Sequence, residues 1–358
     1  IEMAEKKRRA RGEGSIRQRK DGTWEARFVT GIDPGTGKEI RKSVYAKTQK
    51  EVRRKMTEAV AALDKDDYKE PCKMTLAQWL DIWQKDYLGS VKPSTAYLYK
   101  KQIDLHIRPA LGATKLDSLN PHTVQQFYNK LGSSRNGDDG LSPKSIKNVH
   151  GILHKALQQA VKVGYIRVNP TDACTLPKVI RKELKPMDED ATAQFIEALH
   201  GHRYEILYLV TLFTGLRQGE VLGLMWDCID FDNGCIIINK QLQRIRGSGG
   251  QYRIAPTKNS KGRNITPAPF VMDLLRSQRR KQGEWRLKAG PAWEGDKLGD
   301  FVFSDELGHH LVDRTVYRQF KMVTGSIDLQ DVRFHDLRHS YAVAAIRSGD
   351  DIKTVQGN

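Results

Sequence analysis

Two short stretches carry residues that could handle a phosphate. In Phe334-His335-Asp336-Leu337-Arg338-His339, His335 and Arg338 are three apart, so on a helix they project from the same face. The histidine offers a donor that can also move a proton, and the arginine a planar fork that fits two oxygens of one phosphate. Taken alone, the pair reads more simply as a helix N-terminus with a buried histidine and a surface arginine. The second stretch, Thr214-Gly215-Leu216-Arg217-Gln218-Gly219-Glu220, puts an arginine just after a glycine turn between two apolar helical runs, where a surface charge is unexpected. Lys258 lies on the turn Pro256-Thr257-Lys258-Asn259-Ser260-Lys261-Gly262, from which it could swing into a cleft. Two guanidinium groups and an imidazole can stabilise charge on a phosphodiester without a metal, and a lysine can protonate a leaving alkoxide. A nucleophile is missing from this set.

The rest of the chain must position these groups on a polyanion. The 358 residues hold 60 Lys+Arg against 43 Asp+Glu, a formal charge of +17. A basic surface of this size favours nucleic acid, because phosphate backbones release counterions to it whatever their sequence. No apolar run approaches 18 residues and no signal peptide is present, so the cytoplasm is the expected location. Cys72, Cys174, Cys228 and Cys235 show no C-x-x-C spacing and read as reduced thiols, with no metal site and no cofactor implied. No G-x-x-x-x-G-K-[ST] loop occurs, so nucleotide hydrolysis does not drive the chemistry.

The length and patterning predict a multidomain α+β protein. Residues 1 to 11 form a basic tail. Strands are expected over Ser15–Arg19, Trp24–Ile32 and Ile40–Tyr45, separated by Asp-Gly and Asp-Pro-Gly turns, with a helix from Thr48 to Lys65 behind them. Residues 1 to 55 contain 17 Lys+Arg and 8 Asp+Glu, about half of the excess charge. A three-stranded sheet can enter the DNA major groove, and Arg17, Arg19, Trp24, Arg27 and Arg41 are candidates for the reading face; a solvated face is the plainer alternative. From 71 to 172 the pattern is helical, with helices expected over Thr75–Tyr87, Ser94–Ile107, Pro121–Leu131 and Pro143–Val163. The last helix and the linker at 173–186 are basic, with Lys144, Lys147, Lys178, Arg181 and Lys182 as DNA-contact candidates. The final domain, 187–358, is expected to be mainly helical with a small β-sheet, including a helix over Ala268–Arg280.

Together the boxes resemble those of the tyrosine recombinases, or phage-type integrases. Thr214-Gly215-Leu216-Arg217-x-Gly-Glu220 is similar to the family's first catalytic box, His335-x-x-Arg338-His339 to its second, and Lys258 to its hairpin lysine. The form is most similar to integrases of conjugative transposons. The resemblance implies an arm-type DNA-binding domain (1–70), a helical core-binding domain (71–172) and a catalytic domain (187–358). It implies that Arg217, His335 and Arg338 hold the scissile phosphate, that Lys258 protonates the leaving 5′ oxygen, and that Glu220 and His339 support them. Double-stranded DNA would be the substrate, with the chain acting as a dimer to tetramer, aided by an excisionase or a DNA-bending protein. The family's nucleophilic tyrosine follows the second box by a short run whose start matches Val355-Gln356-Gly357-Asn358, so this tyrosine is expected beyond Asn358, and the chain as given is expected to bind DNA without cleaving it. Tyr341, in the Arg338 helix, is expected to be a core residue. Two other readings are a DNA-binding regulator without chemistry and a metal-dependent nuclease using His335 and His339.

Overall fold

A computed structural model describes residues 14–32, 39–64, 73–133, 140–180, 186–257 and 262–348. The chain divides into two compact units between Val179 and Ile180.

In the first unit, strands β1 (Ser15–Gln18), β2 (Trp24–Ile32) and β3 (Glu39–Ala46) form an antiparallel sheet in chain order, followed by helix α1 (Gln49–Asp64). The pairing sets Arg17 opposite Glu25, Glu25 opposite Tyr45, and Arg27 opposite Ser43. Side chains alternate along a strand, so these residues share one face. The residues between them, Ile16, Trp24, Ala26, Val44 and Ala46, pack with Val52 and Met56 of α1. The α1 N-terminus is capped by the Thr48 hydroxyl, which accepts from the Glu51 N–H at 3.3 Å.

A second core in this unit is helical. Helix α2 (Leu76–Asp86) begins with a reciprocal cap between Thr75 and Gln78, and it buries Leu76, Trp79, Leu80 and Trp83 at three- and four-residue spacing. The Trp79 indole donates to the Ala156 carbonyl at 2.8 Å, so the ring is buried without leaving its N–H unpaired. The helix expected over Ser94–Ile107 is interrupted. It runs as α3 (Pro93–Gln102), a wide π-turn (Ile103–Ile107) and α4 (Arg108–Leu111). The Arg108 N–H reaches back five residues to the Ile103 carbonyl. Pro109 explains the widening, because it lacks an N–H and its ring would press on the carbonyl four residues earlier. Helices α5 (Pro121–Gly132) and α6 (Pro143–Lys162) each start with proline behind a capping Asn120 or Ser142.

In the second unit, α7 (Glu189–Ala198) is capped by Asp188, which accepts from the Ala191 N–H at 2.8 Å. Helix α8 (Glu205–Thr214) is apolar almost all round, with seven buried residues, as a central helix must be. Helix α9 (Gln218–Leu222) and strands β4 (Ile229–Asp230), β5 (Cys235–Ile238), β6 (Lys240–Arg244), β7 (Tyr252–Pro256) and β8 (Arg263–Ile265) follow. One sheet has the order β4-β5-β8, and β6-β7 is a hairpin closed by the glycine-rich run. Then come α10 (Pro269–Ala289), α11 (Asp313–Ser326) and α12 (Phe334–Arg347). Phe195, Tyr208, Phe320 and Phe334 meet edge to face or tilted at the centre, with centroids 5.5–6.5 Å apart. Helix α10 outruns the expected Ala268–Arg280. Its later turns bury Gln278 and Gln282, whose amides donate to the carbonyls of Val302 and Phe301, contacts that apolar periodicity does not reveal. No described helix is long and apolar enough to cross a membrane.

Candidate active site

The site is built where α8 ends. Gly215 caps that helix in the left-handed region, at φ 64°. A side chain there would also collide with the Tyr341 ring of α12. The bare turn lets α12 approach, and Arg338 donates through Nη1 to the Gly215 carbonyl, joining the second box to the first. Tyr341 thus packs against the Gly215 turn and is half-buried.

Arg217 sits at the N-terminal boundary of α9, and Glu220 lies in the first turn of that helix. One Glu220 oxygen accepts from the Arg217 backbone N–H at 3.1 Å and the other from Arg217 Nη1 at 2.7 Å. A second guanidinium closes on the same carboxylate: Arg263 Nη2 lies 2.7 Å from one oxygen and Nη1 3.3 Å from the other. The Glu220 side chain is fully buried, and burial alone would raise its pKa. The hydrogen bonds from Arg263 and from the Arg217 backbone and side chain outweigh this and hold the carboxyl below its ordinary value. Helix α9 lies tight on β6, because Gly223 leaves no room for a side chain beside the backbone of Gln241 and Leu242.

Arg338 is pulled below the ordinary arginine value by burial first, then by the charges of Arg217 and Arg263. It remains a cation, since guanidinium groups do not deprotonate in proteins. His335 is also lowered, first by desolvation of its ring and then by His339 and Arg338, with Arg217 adding to this. Its ring meets that of His339 edge-on, with centroids 4.9 Å apart. A neutral imidazole is therefore favoured near neutral pH, able to donate from one nitrogen and accept on the other. Asp336 makes its hydrogen bonds with Arg333. It is buried, and it binds Arg333 Nη2 and backbone N–H at 2.8 Å each, fixing the start of α12.

The structure thus brings together Arg217, Glu220, His335, Arg338 and His339. Lys258, Arg181 and Lys182 lie outside the described residues. Arg263 was not singled out by the sequence reading. The signal for it was strand parity, because Arg263 and the buried Ile265 are two apart on β8 and so point the same way.

On the N-terminal sheet, Arg17 and Arg27 share one face and converge on Glu25, at 2.7 and 2.9 Å, with Ser43 at 2.9 Å. Arg41 pairs with Glu39 at 2.9 Å, and the Arg19 guanidinium lies over the Tyr45 ring, 5.4 Å from its centroid. Trp24 does not belong to that face. It is one residue out of phase with Glu25 and Arg27 and packs toward α1. Lys144 and Lys147 are exposed one turn apart near the start of α6, and Lys178 is exposed in the segment before Ile180.

The sequence matches the phage integrase family over residues 185–357 and the N-terminal SAM-like domain of phage integrases over residues 75–132. The chain belongs to the phage integrase family, the tyrosine recombinases. It is 29% identical to a tyrosine recombinase XerC-like protein of Caldanaerobacter subterraneus subsp. tengcongensis, over 89% of this chain and 84% of the relative. The ICEBs1 integrase of Bacillus subtilis is 26% identical over 96% of this chain and 90% of its own length. Among solved structures, the Tn1549 transposon integrase in complex with a circular intermediate DNA superimposes with a TM-score of 0.67 at 21% identity, covering 79% of this chain and 90% of that one. A lambda integrase tetramer bound to a Holliday junction gives 0.58 at 18% identity, over 95% and 93%. These superpositions match the mixed α/β fold described above.

Proposed function

We propose that the chain is the site-specific recombinase of a mobile element of the conjugative-transposon type, cutting and rejoining double-stranded DNA through a 3′-phosphotyrosyl link. The observation that carries this reading is the junction of the two boxes. The Gly215 carbonyl accepts from Arg338 two residues before Arg217, which Glu220 holds, so two guanidinium groups and the His335 ring are gathered at one place.

At such a site the forks of Arg217 and Arg338 meet the non-bridging oxygens of the scissile phosphate, where negative charge grows as the nucleophile attacks. His335 donates a further hydrogen bond or moves a proton, and His339 supports its ring. A tyrosine displaces the 5′ oxygen, which takes a proton from Lys258, and the bond energy is kept in the protein–DNA link until a second 5′-hydroxyl attacks it. That chemistry needs neither metal nor ATP. In this reading residues 1–70 form an arm-type DNA-binding domain, 71–172 a core-binding domain and 187–358 the catalytic domain. The protein assembles as a dimer to tetramer on element ends and target sites, and an excisionase or bending protein can bias the direction.

The test mixes full-length protein, without metal, with nicked duplex carrying the ends of its own element, and resolves the products on a denaturing gel. A covalent adduct that needs Arg217 is expected. Tight binding to those ends without any adduct would leave a DNA-binding regulator in its place.

A further inference from the structure

Arg263 stands outside both boxes, yet it is the more buried of the two guanidinium groups that bind Glu220. Its side chain is 13% exposed, whereas that of Arg217 is 32% exposed. Its two terminal nitrogens go to the Glu220 carboxylate, and its Nε is buried with no hydrogen-bond partner among the described residues. Leaving a buried N–H unsatisfied is costly, so the ion pair must contribute something that offsets it. Charge balance suggests what this is. With Arg217 alone beside it, the buried Glu220 carboxylate would cancel most of the field that Arg217 can direct at a phosphate. With Arg263 as a second cation the carboxylate is neutralised from behind, and among the described residues only Nη1 of the Arg217 side chain is bound to it. The same pair ties β8, five residues after Lys258 in sequence, to the N-terminus of α9.

We propose that Arg263 is a positioning residue for strand transfer: it acts as the counter-ion of Glu220, so that the field of Arg217 is not cancelled by a lone buried carboxylate and its fork stays oriented for the scissile phosphate. This rests on the recombinase reading above. Arg263 touches no substrate and acts only through Glu220.

The experiment is a double-mutant cycle in the full-length protein, with Arg263→Met, Glu220→Gln and the pair combined, plus Arg263→Lys. Duplex affinity and the rate of covalent adduct on nicked DNA are measured for each. Arg263→Met should bind DNA as wild type does and form adduct roughly 10- to 100-fold more slowly, the loss usual for removing a support behind a contacting group. Arg263→Lys, which keeps the charge but not the fork, should fall between. In the Glu220→Gln background, removing Arg263 should cost little further, because the carboxylate it serves is gone. This last comparison keeps the test open should Arg263→Met alone fail to fold. Full adduct rate in Arg263→Met, or losses that simply multiply in the combined variant, would overturn the proposal. Failure of the wild-type protein to give any Arg217-dependent adduct would instead refute the recombinase reading itself.

Discussion

Gly215→Ala probes the junction on which the site depends. Two separate costs are expected. Alanine in the left-handed region is disfavoured by about 1–2 kcal/mol. The new methyl would also overlap the Tyr341 ring, and inserting carbon into a packed contact costs about 1–3 kcal/mol. A loss of roughly 2–5 kcal/mol follows. For a unit of this size that lowers the melting transition by about 5–20 °C. The two costs can be separated, because Tyr341→Ala added to Gly215→Ala removes the collision and leaves the backbone cost alone. Differential scanning calorimetry of the full-length protein, which resolves transitions of separate units, is the assay. Relative to its own parent, Gly215→Ala should therefore destabilise wild type more than it destabilises Tyr341→Ala. Adduct formation should fall along with stability in Gly215→Ala, since α12 must move and Arg338 loses the Gly215 carbonyl. Equal destabilisation in the two backgrounds, or a melting point unchanged from wild type, would show that the close approach of α12 to this turn is wrong.

Other outcomes can be stated briefly. Arg217→Ala should lower the adduct rate on nicked duplex by at least about 10²-fold while leaving duplex affinity largely in place; a surviving rate would remove Arg217 from the phosphate site. The Arg17, Ser43 and Arg27 hydrogen bonds hold the Glu25 carboxyl at about 2, well below its ordinary 4.5. Stability from this cluster should be fully present above pH 4.5 and lost as the pH falls toward 2, and acid titration of Glu25→Gln should lack that component. Arg27→Gln should weaken duplex binding and reduce the slope of log affinity against log salt by about 1 if that arginine meets a phosphate; unchanged affinity and slope would take it off the DNA face. Tyr252→Phe removes a 2.5 Å hydrogen bond from the β6–β7 hairpin to Asp313, and the hairpin amides should then exchange faster with solvent.

Much of this architecture was legible because local chemistry and tertiary packing agree. Thr75, Ser142 and Asp188 cap helices where capping residues precede apolar periodicity, and Gly215 ends α8 as a positive-φ glycine does. Legibility failed where a side chain's partner is distant in sequence. Trp24 reads as a candidate for the DNA-reading face, but strand phase sends it to the small core under α1. Arg263 belongs to neither box, and its strand phase turns it inward to a carboxylate 43 residues away. The extension of α10 carries Gln282, whose amide donates to the Phe301 carbonyl and the Ser304 hydroxyl, and no periodic pattern announces it. The site itself was readable because its boxes are short and contiguous; what the sequence lacked was the carbonyl of Gly215 as the point where the boxes meet.

The wide turn at Ile103–Ile107 acts as a phase shifter. One additional residue per turn rotates everything before it by about 100° relative to a regular helix, without breaking the helical rod. On one side of the shift Ile103, Ile107 and Leu111 fall into the core; on the other, α3 buries none of its residues fully, yet presents Tyr99 to stack on Trp83 at 6.1 Å. The extra residue in the turn is thereby taken up as a change of angle. Deleting one residue in that turn would restore regular geometry locally and swing Tyr99, with the Lys155 that donates to it at 3.1 Å, out of alignment. In this rod a gain or loss of one residue is felt as torsion before it is felt as length.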